Sequence, residues 1–242
     1  MTLGTFYGIG VGPGDPELLT LKGKRILANA EAVFVPKAKS KSESIALAIA
    51  QQHISFSASV REIIFPMVTD VDALREHWRT AAKAVLDVLC AGRDAVFLTL
   101  GDAMLYSTHI YLARALKEHC PELKVVTVPG VAAFSAAAAL TGFPVGEKKH
   151  PVVIIPTSDD LSAVARALDF GGTVVLMKVG KRLEAILDLL RSRGLLDRSV
   201  FVARAGLEGE RIETDLVQFQ KDEPRLGYLS TMIVDAREEG FR

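Results

Sequence analysis

Four strand-to-loop junctions hold most of the residues in this sequence that could do chemistry. Leu98-Thr99-Leu100 runs straight into Gly101-Asp102-Ala103-Met104-Leu105-Tyr106-Ser107-Thr108. An apolar run that stops at a glycine and an aspartate puts both at the carboxyl end of a strand, where open α/β sheets bind their ligands. Gly101 lets a ligand approach the backbone. Asp102 could accept hydrogen bonds from an amine or a ribose, act as a base, or be the aspartate of a turn. Ser107 and Thr108 stand where a helix N-cap belongs. Val128-Pro129-Gly130-Val131 repeats the arrangement and opens an alanine-rich helix. Its small residues Ala132, Ala133 and Ser135 admit a flat ligand or close helix–sheet packing. Met177-Lys178 ends a third apolar run. Methionine is at home in a core, but lysine is seldom placed there for packing. Arg204 follows a fourth run, and its guanidinium suits bidentate carboxylate binding.

The first apolar run ends in Gly8-Ile9-Gly10-Val11-Gly12-Pro13-Gly14-Asp15-Pro16. Glycines after a first strand invite a dinucleotide fingerprint, G-x-G-x-x-G, but the spacing fails. Counted from Gly8 the third glycine should be residue 13, which is Pro13. Counted from Gly10 it should be residue 15, which is Asp15. Proline also removes a donor that a pyrophosphate would use. Pro13, Gly14 and Asp15 are therefore read either as a tight structural turn or as a substrate-facing loop.

Composition narrows the function class. The chain has 242 residues and is 49% hydrophobic, enough for a real core in one large α/β domain or two small ones. Basic and acidic residues balance to a net charge of zero, so no nucleic-acid partner is expected. Any anionic ligand must be met by local clusters such as Lys37, Lys39 and Lys41, Lys148 and Lys149, or Lys181 and Arg182. Cys90 and Cys120 are too few for a disulfide framework and are expected to stay reduced. His53, His77, His109, His119 and His150 form no HxH or HxxxH pair, so no protein-held metal is expected. The opening MTLGTFYGIG lacks a basic segment followed by a long apolar one, and no apolar run reaches membrane length. A cytoplasmic location without membrane association is expected.

The elements that position these residues follow from periodicity. Strands are predicted at Thr5–Val11, Ala32–Val35 (stopped by Pro36), Arg61–Phe65, Ala95–Leu100 and Lys124–Val128. Between them, Thr20 could cap a helix reaching Ala30. Ser44–Gln51 is helical in composition. Leu74, Trp78, Ala82, Val85 and Leu89 make one stripe of a long helix that Gly92 ends, and Ile110, Ala113 and Leu116 make another. Apolar strands alternating with helices imply a mostly parallel sheet with both faces covered. Further on, Val152–Ile155, Thr173–Met177 and Ser199–Ala203 are strands, separated by helices Leu161–Leu168 and Leu183–Leu190. Arg211–Phe219 and Leu229–Asp235 follow with no room for a helix between them, so that end of the sheet should be antiparallel. The fold class is α/β in two lobes, 1–126 with a mostly parallel sheet and 127–242 with a mixed one. The polar, acidic segment Pro66–Leu74 is where mobility is expected.

Four segments in this order, GIGVGPGDPELLTLKG near the start, LTLGDAMLYST at Leu98–Thr108, VPGVAAF at Val128–Phe134 and STMIV at Ser230–Val234, resemble the tetrapyrrole (class III) methyltransferases. The resemblance covers nearly the whole chain. LTLGD followed by YST, with the stretch around His77 and Trp78, most resembles the C(20)-methyltransferases of precorrin-2 and cobalt-factor II. It implies two α/β lobes with S-adenosylmethionine in the cleft between them, S-adenosylhomocysteine as product, a tetrapyrrole substrate and a homodimer. Cofactor-lining residues implied by it are Gly101, Asp102, Ala103, Tyr106 and Thr108, with Val131 and Ala132 beside the adenosyl group and Met177, Ala205 and Thr231 on the second side. The family usually has proline where this chain has Ala103, which makes the loop less rigid.

On that resemblance Asp102, Lys178 and Tyr228 are the polar groups expected near the reacting edge, and Pro13, Gly14, Asp15 and Arg204 are expected to meet the substrate. Asp102 is the candidate for orientation or proton acceptance. Any cobalt would arrive inside the substrate. The rival readings are a methyltransferase of the same fold acting on another macrocycle carbon or on diphthine, and a non-catalytic tetrapyrrole or nucleoside carrier. A nicotinamide dehydrogenase conflicts with the glycine spacing.

Overall fold

The structure, a computed structural model, describes residues 2–37, 43–64, 70–219 and 226–237, without the side chains of 71 and 73. Lys39, Lys41 and residues 66–69 of the segment expected to be mobile lie outside the described residues. The chain divides into two compact units, Met1–Ala132 and Ala133–Arg242.

The first unit alternates β1 (Phe6–Gly10), α1 (Leu21–Ala28), β2 (Ala32–Lys37), α2 (Ile45–Ala50), β3 (Ser59–Ile64), α3 (Val71–Cys90), β4 (Ala95–Thr99), α4 (His109–His119) and β5 (Val125–Val128). The sheet order is β3-β2-β4-β1-β5, and every pairing is parallel. β5 pairs with β1 and so belongs whole to this unit, whereas the boundary expected at 126/127 would cut it. Strand alternation sends Phe6, Phe34 and Phe97 to one face, where they meet Ala82, Val85 and Leu89 of α3 and Leu112 and Leu116 of α4. These three rings are at most 1% exposed, and truncating one to alanine should cost about 3–5 kcal/mol. Ile9, Val33, Val35 and Leu98 fill the opposite face, and Gly23 of α1 lies close over Ile9. The Thr20 hydroxyl caps α1 by accepting the Gly23 N–H at 3.1 Å, and Ser44 caps α2.

Two expectations are corrected here. β2 continues through Pro36 to Lys37. It pairs with β4 only over Ala32–Phe34, so at Pro36 the strand has a partner on one side only and the missing N–H leaves no gap in that ladder. The buried face of α4 is His109, Leu112, Ala115 and Leu116, with Ile110 and Ala113 only half-buried. The stripe is rotated because a histidine, and not an apolar residue, starts it.

The second unit runs α5 (Ala133–Thr141), β6 (Val152–Pro156), α6 (Ser162–Phe170), β7 (Thr173–Met177), α7 (Leu183–Ser192), β8 (Ser199–Ala203), β9 (Arg211–Glu213) and β10 (Ser230–Asp235). Its sheet order is β6-β7-β10-β8-β9. β6 and β7 are parallel. β10 inserts antiparallel between β7 and β8, and β8–β9 is antiparallel, giving the mixed sheet expected. Val164 and Leu168 of α6 and Ile186 and Leu190 of α7 bury Leu176, Phe201, Met232 and Val234. The alanine-rich α5 packs against β8, β9 and β10. The strand expected over Arg211–Phe219 is limited to Arg211–Glu213. Beyond it the Asp215 carboxylate accepts the Val217 N–H at 3.0 Å and turns the chain away from the sheet edge. At the far end of β10, the Asp235 carboxylate is 1% exposed and accepts two bonds from the Arg237 guanidinium, at 2.8 and 3.2 Å. Burial alone would raise the Asp235 pKa. The Arg237 hydrogen bonds and the Arg198 and Arg237 charges outweigh it and hold the group below its ordinary value.

Candidate functional site

Three strand ends of the first sheet meet at glycines. The Gly101 N–H, just past β4, donates to the Gly12 carbonyl at 2.7 Å, and the Gly12 N–H returns a bond at 3.2 Å. Gly10 and Gly130 close the junction. A Cβ on Gly10 would fall 2.6 Å from the Gly101 oxygen and 2.7 Å from the Gly130 nitrogen. The backbones following β1, β4 and β5 therefore touch with no side chain between them. The Gly101 face differs: a Cβ there would meet nothing within 4 Å, which leaves the backbone open on that side.

Asp102 ties this junction together. Its Oδ1 accepts the Met104 N–H at 2.8 Å, and its Oδ2 accepts the Gly130 N–H at 3.0 Å. One carboxylate thus orders its own turn and joins the loop after β4 to the loop after β5. Beyond it, Ala103 is fully buried, while Met104 is 59% and Tyr106 40% exposed. Tyr106 is held left-handed at φ 51°, and partial burial of its phenol raises its pKa. Of the two cap candidates, Ser107 takes the role: its Oγ accepts the His109 N–H at 3.0 Å, and the Thr108 side chain makes no cap bond.

A buried polar chain underlies the loop. The Thr99 and Ser107 hydroxyls share a hydrogen bond at 2.9 Å, and His109 Nε2 lies 3.0 Å from Thr127 Oγ1. The His109 ring is 1% exposed and stacks on Phe6 at 5.7 Å. It fills the space above Gly8, where a Cβ would fall 2.0 Å from a ring carbon. Desolvation lowers its pKa to about 4, so the ring is neutral at pH 7. Nothing in the sequence singled out His109, because the partners of its ring come from two separate strands, β1 and β5.

In the loop after β1, Pro13 and Gly14 are buried. Asp15 accepts the Glu17 N–H at 2.8 Å and caps the short turn Pro16–Leu18. This cap engages the Oδ1 of Asp15.

In the second unit, Met177 ends β7 opposite Thr231 of β10, and Ala203 ends β8 opposite Ser230. Lys178, Arg204, Ala205 and Tyr228 therefore gather at one end of that sheet. Ala205 and Thr231 are buried, Met177 and Arg204 half-buried, and Lys178 and Tyr228 exposed. The structure thus assembles the expected residues in two groups, each at one end of its own sheet. A groove of about 420 Å³ beside α1, between Tyr7, Arg25, Asp94 and Val126, lies toward the amino-terminal ends of β1, β4 and β5 and so away from the glycine junction.

Residues 5–219 match the family of tetrapyrrole (corrin/porphyrin) methylases. The chain is 34% identical over 236 residues to the cobalt-precorrin-2 C(20)-methyltransferase of Salmonella typhimurium, covering 98% of each chain. It is 31% identical over 233 residues to the probable cobalt-precorrin-2 C(20)-methyltransferase of Methanocaldococcus jannaschii, covering 94% of each. Among solved structures, the uroporphyrin-III C-methyl transferase of Thermus thermophilus complexed with S-adenosylhomocysteine matches at a TM-score of 0.64 and 24% identity, over 96% of this chain and 97% of that one. The ordered glycine motifs, the paired α/β units and this full-length similarity agree: the chain belongs to the tetrapyrrole (corrin/porphyrin) methylase family.

Proposed function

We propose that the protein is an S-adenosylmethionine-dependent C-methyltransferase acting on carbon 20 of precorrin-2 or cobalt-factor II, in corrin biosynthesis. The carrying observation is full-length identity above 30% to two relatives, both named for methylation at carbon 20 of the cobalt-containing substrate. The residues present fit the cofactor: the empty space on the Cβ side of Gly101 leaves room for a ligand, and the Asp102 carboxylate fixes the loop that carries it.

S-adenosylmethionine, when bound, supplies an electrophilic sulfonium methyl. Transfer of that methyl to carbon 20 would leave the sulfur as S-adenosylhomocysteine, with water or a nearby base taking the proton that carbon 20 gives up. Carbon 20 is enamine-like and needs no strong base for attack, so the protein's task is placement. Gly101, Ala103, Tyr106, Thr108, Val131 and Ala132 of the first unit and Met177, Ala205 and Thr231 of the second are the proposed cofactor-lining residues. Asp102 acts by holding the loop, because both its oxygens already accept backbone N–H groups. Lys178 and Tyr228 are the proposed polar groups at the reacting edge. Pro13, Gly14, Asp15 and Arg204 are proposed to meet the substrate. The proposed working form is a cytoplasmic homodimer, and light scattering on the purified protein checks the dimer. No described helix is long and apolar enough to cross a membrane.

The test is anaerobic incubation with methyl-labelled S-adenosylmethionine and precorrin-2 or cobalt-factor II, offered separately and read by mass and carbon NMR. One added methyl at carbon 20 supports the proposal, and the faster acceptor fixes the pathway. No transfer to either acceptor defeats it.

A further inference from the structure

Five non-glycine residues among those described have a left-handed backbone: Tyr106, Lys178, Arg204 and Leu229 at φ 51–57°, and Lys148 at φ 52°. A side chain makes this conformation costly, and it is seldom adopted without a compensating reason. Three of the five share one end of the second sheet. Lys178 follows β7, Arg204 follows β8, and Leu229 precedes the antiparallel β10 that lies between them.

The surroundings hold these residues in place. The Arg204 N–H donates to the Leu229 carbonyl at 3.0 Å, so two left-handed residues brace one another across the β8–β10 pair. The Lys178 carbonyl accepts the Thr157 hydroxyl at 2.7 Å, while the Thr157 N–H donates to the Met177 carbonyl at 2.8 Å. The Gly180 N–H donates to the Gly227 carbonyl at 2.7 Å, and the Ser230 hydroxyl donates to that carbonyl at 2.6 Å. The Arg204 guanidinium is seated on the loop it begins, since a Cβ on Gly209 would lie 3.1 Å from its Cζ. Glycine would adopt all three conformations freely, yet the chain carries a lysine, an arginine and a leucine there.

We infer that Lys178, Arg204 and Leu229 form a strained recognition rim for the acceptor, with the two cations meeting carboxylates of a flat polyanionic macrocycle and Leu229 packing against its apolar edge. This deepens the proposed function and rests on it. β7 and β8 are separated by β10, which sets the two cations on strands roughly 10 Å apart, a spacing suited to separate carboxylates on one ring. Thr157 is a positioning residue that acts through the Lys178 peptide.

The test uses the full-length protein with Lys178→Gly, Arg204→Gly and Leu229→Gly, together with Lys178→Arg and Leu229→Asn. Wild-type turnover is established first, so that its absence removes the proposed function and not this inference alone. Three quantities are read: the melting temperature, cofactor-free binding of the tetrapyrrole acceptor by absorbance titration, and S-adenosylmethionine binding by calorimetry. Each glycine variant should melt at or about 2 °C above wild type, because strain is released. Lys178→Gly and Arg204→Gly should each weaken acceptor binding about tenfold or more, as expected for losing a charge-assisted contact. Leu229→Gly and Leu229→Asn should weaken it by a few-fold through lost apolar contact, with the backbone conformation kept. Lys178→Arg should restore most of the binding, and calorimetry should show little change in cofactor affinity. Glycine variants that melt higher and bind the acceptor as wild type does would overturn the inference. So would losses confined to cofactor binding.

Discussion

The Oδ2 of Asp102 accepts the backbone N–H of Gly130 at 3.0 Å, which ties the loop after β4 to the loop after β5. With Oδ1 engaged by Met104, the carboxylate is a linker. Each bond to a charged acceptor is worth about 1.5–3 kcal/mol. Asp102→Ala should therefore weaken S-adenosylmethionine binding by about tenfold or more, and Asp102→Asn, which keeps one acceptor oxygen, should fall between. A positioning role requires that Asp102→Asn retain measurable turnover with an unshifted acid limb in its pH–rate profile. Complete loss of turnover with normal cofactor binding would make Asp102 the proton acceptor.

Burying His109 ties stability to pH. Its folded pKa of about 4 lies below the unfolded value near 6.5, so protonation favours the unfolded chain. The stabilisation is fully present above about pH 6.5, declines as pH falls toward 4, and levels off below that. The most this ring can contribute is about 3 kcal/mol. Burial also lowers the His77 pKa, so the slope specific to His109 is the difference between wild type and His109→Gln in urea unfolding from pH 7 to 4. Equal slopes would show that the ring is not held neutral.

Asp235 and Arg237 form a buried pair at the end of β10 away from Thr231. Asp235→Ala would remove one of the carboxylates that hold the Arg237 charge, itself 9% exposed, leaving Glu147 at 3.2 Å, and should cost about 3 kcal/mol. Urea unfolding should show that loss, while cofactor affinity measured below the transition stays at the wild-type value. A loss under 1 kcal/mol would mean that Glu147 and water compensate for the lost carboxylate.

The glycine junction predicts a local failure. A Cβ on Gly130 would lie 2.3 Å from the Gly101 oxygen, so Gly130→Ala must push apart the loops after β4 and β5. The expected result is a loss of S-adenosylmethionine affinity of tenfold or more with a smaller effect on melting, since the site lies at the sheet's end and not in its core. Wild-type affinity in Gly130→Ala would show that the junction can open without disturbing the site.

Local sequence determined the alternation of elements and the placing of the glycine loops. The apolar run at Thr173–Met177 has the observed strand boundaries, and Thr20 and Ser44 cap the helices they precede, because propensity, patterning and capping act over a few residues. The ordered motifs around Gly101, Val128 and Ser230 likewise carried the family resemblance without coordinates. Other features depend on partners far along the chain. That Pro36 lies within a strand follows from where β4 stops pairing with β2. That α4 turns His109 inward follows from the space above Gly8. Asp102 reaches across 28 residues to Gly130, and the left-handed backbone at Leu229 is braced from Arg204, just past a neighbouring strand. A sequence window reports the preferences of a segment. Tertiary structure alone decided which groups meet, because a backbone donor or a side-chain-sized space at a strand end exists only once separate strands have been brought side by side.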